Sequence, residues 1–121
     1  MKLYRLGSVG WQDSQILYHA LPRLGREGLI LLSPGSPYVC IGYFQDVEQE
    51  VEVEMCRQAG IPIFRREVGG GAVYLDGDQL FYQLIVHRDN PLVPAGWEAF
   101  YRRFLQAPIG AYRALGIPAE Y

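Results

Sequence analysis

Arg65-Arg66-Glu67-Val68-Gly69-Gly70-Gly71-Ala72-Val73-Tyr74 separates one strand-like run from the next, and its reading decides the rest of the chain. Three consecutive glycines lose much backbone freedom on folding, and a short connection has less costly ways to turn. What Gly69-Gly70-Gly71 permits is close approach of backbone to a ligand, with amide N–H groups free to point at an anion. Arg65 and Arg66 add planar, permanently charged forks suited to carboxylate and phosphate. The segment reads as a cradle for an anionic small molecule. Taken alone, the glycines also suit a structural turn. Arg65 equally suits an ion pair with the glutamate-rich segment 48–54.

Working outward, Ile61-Pro62-Ile63-Phe64 reads as a strand that Pro62 makes short or places at an edge. After the glycines, 72–75 reads as a strand and Asp76-Gly77-Asp78 as a hairpin turn of the Asp-Gly kind. The returning strand is expected over 79–87, with Leu80, Tyr82, Leu84 and Val86 on one face. Nearer the N-terminus, 1–10 suits an edge strand. Segment 11–24 suits a helix capped by Asp13 or Ser14, with Ile16, Leu17, Ala20, Leu21 and Leu24 on its apolar stripe. Strands over 29–32 and 38–43 flank the turn Ser33-Pro34-Gly35-Ser36-Pro37. Val47, Val51, Met55 and Ala59 recur at helical spacing, so 47–59 is read as a helix although its glutamates alternate as in a strand. A last helix is expected over 95–115, its stripe of Trp97, Phe100, Tyr101, Phe104 and Leu105 forming core and Pro108 kinking it. The order β-α-β-β-α-β-β-β-α predicts an α+β fold, a mixed β-sheet with flanking helices.

A chain of 121 residues reads as a single domain, 1–121. Its net charge of −2 gives no long-range reason to expect nucleic acid as a partner. No apolar run approaches the ~20 residues of a membrane span, so no membrane partner is expected. Cys40 and Cys56 form neither a disulfide framework nor a metal-ligand pattern, and His19 and His87 lie far from them in sequence. A reduced, cytoplasmic chain without a bound metal of its own is the expectation. Both cysteines read as small buried groups, and both histidines as packing or surface residues.

Further motifs sharpen the cradle. Tyr38-Val39-Cys40-Ile41-Gly42-Tyr43-Phe44-Gln45, Gly60-Ile61-Pro62, the Arg-Arg-x-x-Gly-Gly-Gly-Ala-Val block and Gln79-Leu80-Phe81-Tyr82 together resemble the biotin/lipoate ligase superfamily, on the lipoate-protein ligase A side. The resemblance runs through nearly the whole chain. It implies the N-terminal portion of a biotin/lipoate ligase-like catalytic domain. It also implies activation of lipoate or octanoate with ATP, Mg accompanying the nucleotide, and passage of the acyl group to a lysine of a lipoyl domain or a glycine-cleavage H-type protein. By matching position, Arg66, Gly71, Ala72, Val73, Tyr74 and Leu75 would line an acyl-adenylate, and Gly69 and Gly70 would form the bend of that loop. Arg65 joins them as a binding candidate. Val39, Ile41 and Val73 would bound the slot for the aliphatic tail.

Two positions depart from the family's pattern. Where Leu75 stands, related ligases often have histidine, and where Val68 stands, a small hydroxyl residue. The family's carboxylate-gripping lysine follows the segment matching Gly116-Ile117-Pro118, and the one lysine here is Lys2. No residue of the chain is therefore assigned a catalytic role. The resemblance implies inactivity alone and completion by a second polypeptide carrying the C-terminal half, or self-association into an oligomer, through a truncated product, a split gene or a disrupted frame. The alternatives are an octanoyltransferase half using octanoyl acyl carrier protein without ATP, and a non-catalytic ligand-binding module.

Overall fold

The structure, a computed structural model, describes residues 1–121. It divides into two compact units, 1–86 and 87–121. In the first, β1 (Lys2–Val9), α1 (Trp11–Arg23), β2 (Gly28–Pro34) and β3 (Tyr38–Ile41) are followed by the short helices α2 (Val47–Glu50) and α3 (Val53–Gln58). The strands β4 (Ile63–Arg65), β5 (Val73–Leu75) and β6 (Phe81–Ile85) complete it. These form two three-stranded sheets, ordered β1-β2-β6 and β4-β3-β5. Each is mixed: β1 runs parallel and β6 antiparallel to β2, while β4 runs parallel and β5 antiparallel to β3. The fold is α+β, with mixed sheets and flanking helices.

β2 is the middle of the first sheet and its burial alternates strictly, with Ile30 and Leu32 fully enclosed and Leu29 and Leu31 half-buried. That is the two-residue period of a strand whose two faces meet different surroundings. Each enclosed aliphatic side chain contributes about 1.5–3 kcal/mol by leaving water. As expected, β1 lies at the edge, with a register shift between Arg5 and Gly7. Helix α1 begins at Gly10 without a side-chain cap, so neither Asp13 nor Ser14 serves as one. Ser14 instead turns inward and donates to the Trp11 carbonyl. The residues that α1 buries are Ser14 and Gln15, whereas Ile16 and Leu24 of the expected stripe stand exposed.

Two further expectations change. The helix over 47–59 is interrupted, because Val51 is extended between α2 and α3. Asp46 caps the first piece by accepting from the Glu48 amide, and the alternation of valine and glutamate leaves the junction free to extend. The Asp-Gly turn does not close a hairpin. It carries the chain from β5, paired with β3, to β6, paired with β2. The turn chemistry is nevertheless present, with Asp76 accepting from the amides of Asp78 and Gln79. Pro62 does precede an edge strand, since β4 pairs only with β3.

In the second unit, the helix expected over 95–115 is two helices, α4 (Trp97–Phe104) and α5 (Gln106–Ala114). The break falls at Leu105, because the Pro108 ring has no N–H for the Phe104 carbonyl and clashes with it. Phe100 packs against Phe104 at 4.7 Å between ring centroids and against Trp97 at 6.4 Å. Neither helix contains a fully buried residue, and Trp97 is 78% exposed, so the aromatic stripe is not an enclosed core. Two short helices alone offer no third layer to cover it. No helix is long and apolar enough to cross a membrane.

Candidate functional site: the Arg66-held glycine loop

Strand alternation sends the two adjacent arginines to opposite faces of the second sheet. Register places Tyr38, Cys40, Phe64, Val73 and Leu75 on one face, and Val39, Ile41, Ile63, Arg65 and Tyr74 on the other. Val73 therefore cannot join Val39 and Ile41 in a single slot, contrary to expectation. Arg65 does not pair with the glutamates of 48–54. Its Nη1 donates to the carbonyls of Gly42, Tyr43 and Gln45, at 3.1, 3.0 and 2.6 Å. Gln45 closes the same turn by accepting from the Gly42 amide at 2.8 Å. The segment 42–45 is thus a rigid shelf tied to β4.

The glycine loop rests on that shelf. A Cβ built at Gly42 would strike the Gly70 carbonyl oxygen, so only glycine lets the two backbones meet there. Gly70, at φ +107°, supplies the bend, in a region that side chains disfavour. The Tyr43 amide donates to the Val68 carbonyl, and the Arg66 amide to that of Ile41. From the opposite side, the Arg66 guanidinium gathers the loop's carbonyls: Nη2 donates to Gly69 and Gly71, both at 2.9 Å, and Nε to Gly69 at 3.2 Å. The amides of Gly69, Gly70 and Gly71 donate to no acceptor of the chain. Carbonyls drawn inward and amides left over is the polarity an anion or an oxyanion needs. Both arginines act here by holding backbone.

Beneath the loop, α1 supplies a polar layer. Nη1 of Arg66 reaches the Cys40 carbonyl at 3.4 Å and its Sγ at 3.7 Å. The Cys40 thiol donates to Gln15 Oε1 at 3.6 Å, and Gln15 Nε2 donates to the Tyr38 hydroxyl at 2.6 Å. The Tyr38 hydroxyl lies 2.9 Å from Ser14 Oγ. Burial pushes the Tyr38 hydroxyl pKa up, against its hydrogen bonds with Ser14 and Gln15. Tyr18 is pushed up to about 12, first by burial and then by Cys40, with Arg66 pulling the other way. Both phenols are neutral at physiological pH.

Glu67 ties the loop's entrance to α1. Its carboxylate meets Arg23 at 2.7 Å and His19 Nδ1 at 3.6 Å, while its amide donates to His19 Nε2 at 3.4 Å. Burial holds His19 below its ordinary pKa, opposed by the Glu67 charge and assisted by Arg23. Phe44, 88% exposed, stands beside Gly69, with Val68, Val73 and Tyr74 also open to solvent. An anion cradle bordered by exposed apolar groups suits a ligand with a polar head and a hydrocarbon tail. No group of three or more His, Cys, Asp or Glu side chains is placed to hold a metal ion. A separate open cleft of about 640 Å³, lined by Lys2, Tyr4, Leu17, Leu21, Arg26 and Ile30, shares no residue with the loop.

This geometry meets the known proteins at one family. The family described as lipoyl protein ligase A/B catalytic domain matches residues 9–121. The chain belongs to that family. It is similar to octanoyltransferase LipM of Halalkalibacterium halodurans, 35% identical over 129 residues, covering 100% of this chain and 46% of the relative. Among solved structures it is similar to lipoate-protein ligase A bound with ATP, with a TM-score of 0.76 and 26% identity, covering 97% of this chain and 47% of that one. It is also similar to the bipartite lipoate protein ligase of Thermoplasma acidophilum, described with its E2 lipoyl domain, with a TM-score of 0.74 and 26% identity. There it covers 99% of this chain and 47% of that one. The chain thus spans just under half the length of each.

Within this family member, the structure brings together Arg66, Gly69, Gly70 and Gly71 and links them through Ala72 to β5, whose Val73 and Leu75 share the Cys40 face while Tyr74 is on the opposite one. Arg65 lies on that opposite face too. Sequence reading passed over Gly42, Ser14, Gln15 and Tyr38. Ser14 entered only as a possible cap and Gln15 stands opposite the expected apolar stripe of α1, so neither carried a signal in the sequence.

Proposed function

We propose that this chain holds the acyl donor in octanoyl or lipoyl transfer, and that the reaction it serves is octanoyl transfer from a carrier thioester to a lysine of a lipoyl domain. The observation that carries this is the loop itself. Its carbonyls are gathered by Arg66 while the amides of 69–71 are left to donate, beside exposed apolar side chains. Such donors stabilise the oxyanion that forms when a nucleophile attacks a thioester carbonyl. Similarity to LipM octanoyltransferase supports octanoyl as the group and transfer as the reaction. Neither cysteine serves as a nucleophile in this reading. Cys40 is 1% exposed and engaged by Gln15 and Arg66, and Cys56 is also buried.

A second reading is favoured by the likeness to a ligase bound with ATP. There the same amides would receive the α-phosphate of an acyl-adenylate, with Mg accompanying the nucleotide. In either reading the only lysine, Lys2, takes no part in the loop, since it lies in β1 opposite Gly28 in the first sheet. Titrating the protein with octanoyl-pantetheine and with a non-hydrolysable octanoyl-adenylate analogue, following heat of binding, tests the proposal. We expect octanoyl-pantetheine to bind without nucleotide and Arg66→Ala to weaken it. Binding of the adenylate analogue alone would instead establish the ligase reading. If neither compound binds, both readings fall.

A further inference from the structure

The hydrogen bonds under the glycine loop run in one direction. The Ser14 hydroxyl donates to the Trp11 carbonyl at 2.6 Å. Its oxygen is thereby left to accept from Tyr38, whose own oxygen accepts from Gln15 Nε2. Gln15 Oε1 accepts from the Cys40 thiol, and Cys40 accepts from Arg66 through both Sγ and its carbonyl. Each member both gives and receives, from the first turn of α1 to the guanidinium that gathers Gly69 and Gly71. Four of the links, Ser14, Gln15, Tyr38 and Cys40, are at most 4% exposed. Burying a glutamine, a serine and a phenol where leucine or phenylalanine would pack costs stability unless every group is satisfied. The fixed orientation of a side chain at the end of the chain is what this arrangement gains.

We propose that Gln15, Tyr38 and Ser14 are positioning residues that set the Arg66 guanidinium through Cys40, and with it the loop that holds the acyl donor. A guanidinium has five donors in a rigid fork. Nη2 and Nε are taken by the loop, and Nη1 is anchored on Cys40. Without that anchor the fork pivots about its loop contacts, and the carbonyls of Gly69 and Gly71 move with it. The anchoring stands on geometry alone. Its consequence for ligand rests on the acyl-donor reading above.

The test follows the Arg66 Nε–H resonance by ¹⁵N NMR in Gln15→Leu, Cys40→Ala and Cys40→Ser. We expect Gln15→Leu and Cys40→Ala to shift the signal and speed its exchange with water about fivefold, the equivalent of one net hydrogen bond. Cys40→Ser, which keeps a donor and an acceptor, restores it. A merely structural role lowers global stability without altering this signal in the folded protein. An unchanged signal in both Gln15→Leu and Cys40→Ala therefore overturns the proposal. Should Gln15→Leu fail to fold, Tyr38→Phe removes one hydroxyl from the middle of the chain, and an unchanged signal there is equally decisive. Affinity for octanoyl-pantetheine is measured alongside and should fall with the loosening of Arg66. A loosened Arg66 with unaltered affinity upholds the positioning and overturns the acyl-donor reading.

Discussion

β2 and β3 are each the middle strand of a three-stranded mixed sheet, yet different forces hold them. β2 is enclosed through Ile30 and Leu32, and α1 packs over its sheet. β3 encloses Ile41 as well, but on its other face it presents Tyr38 and Cys40 to Gln15, Ser14 and Arg66. Apolar burial has no direction and tolerates small shifts. Hydrogen bonds fail steeply with distance and angle. The first sheet acts as frame and the second fixes the loop, so a lesion in each should have a different signature.

The largest effect is expected from Leu32→Ala in the frame. A fully buried leucine reduced to alanine should cost about 3 kcal/mol in denaturant unfolding. The Arg66 and loop resonances of the molecules still folded should stay in place. If those signals move as much as the stability does, frame and loop are not separable.

Next is Gly42→Ala on the shelf. Its new Cβ meets backbone, the Gly70 carbonyl, and not the end of a flexible side chain. The loop must lift, at a cost of about 2 kcal/mol for an overpacked contact. Octanoyl-pantetheine binding should be lost while the β2 amides keep their hydrogen-exchange protection. Retained binding would show that the loop tolerates displacement and is not a fixed cradle.

Comparing Arg66→Ala with Arg65→Ala sharpens the contrast within the second sheet. Both remove a guanidinium that holds carbonyls, but only Arg66 holds those of the glycine loop. Affinity should fall about tenfold or more for Arg66→Ala, which frees two loop carbonyls at once, and less for Arg65→Ala. Equal losses would mean that the shelf matters as much as the loop.

How much of this was legible in the sequence follows the same division. The frame announces itself, because β2 contains a short aliphatic run of buried-strand length, bounded by glycine on one side and a Ser-Pro-Gly turn on the other. That the chain bends between β4 and β5 was legible too, since three consecutive glycines mark a turn whatever it holds. What α1 would bury was not. Gln15 and Ser14 look like solvent residues until Tyr38 and Cys40, more than twenty positions away, are placed opposite them. The false hairpin has the same origin. Asp76-Gly77-Asp78 fixes a local turn, but whether β5 pairs with β6 or with β3 depends on strands distant in sequence. Arg65 was misjudged because carbonyls leave no mark in a sequence, whereas glutamates do.

The smallest expected effect concerns the tie between the loop's entrance and α1. The Arg23–Glu67 pair is largely solvated, so Glu67→Gln should cost under about 1 kcal/mol at neutral pH, and less at high salt. His19 gives the same tie a pH signature. Burial lowers its pKa in the folded protein, so the unfolded chain binds the proton more readily. Stability is then full above the ordinary histidine value of about 6.5 and is lost as pH falls through it towards the folded value. Glu67 works against that shift, so Glu67→Gln should deepen the loss between about pH 7 and 5.5, a range that lies above most carboxylate titrations. His19→Gln should remove this component. Denaturant midpoints measured across that range check both expectations. Identical slopes in wild type and His19→Gln would mean that the tie does not sense protons, leaving Arg23 as its only charged partner of consequence.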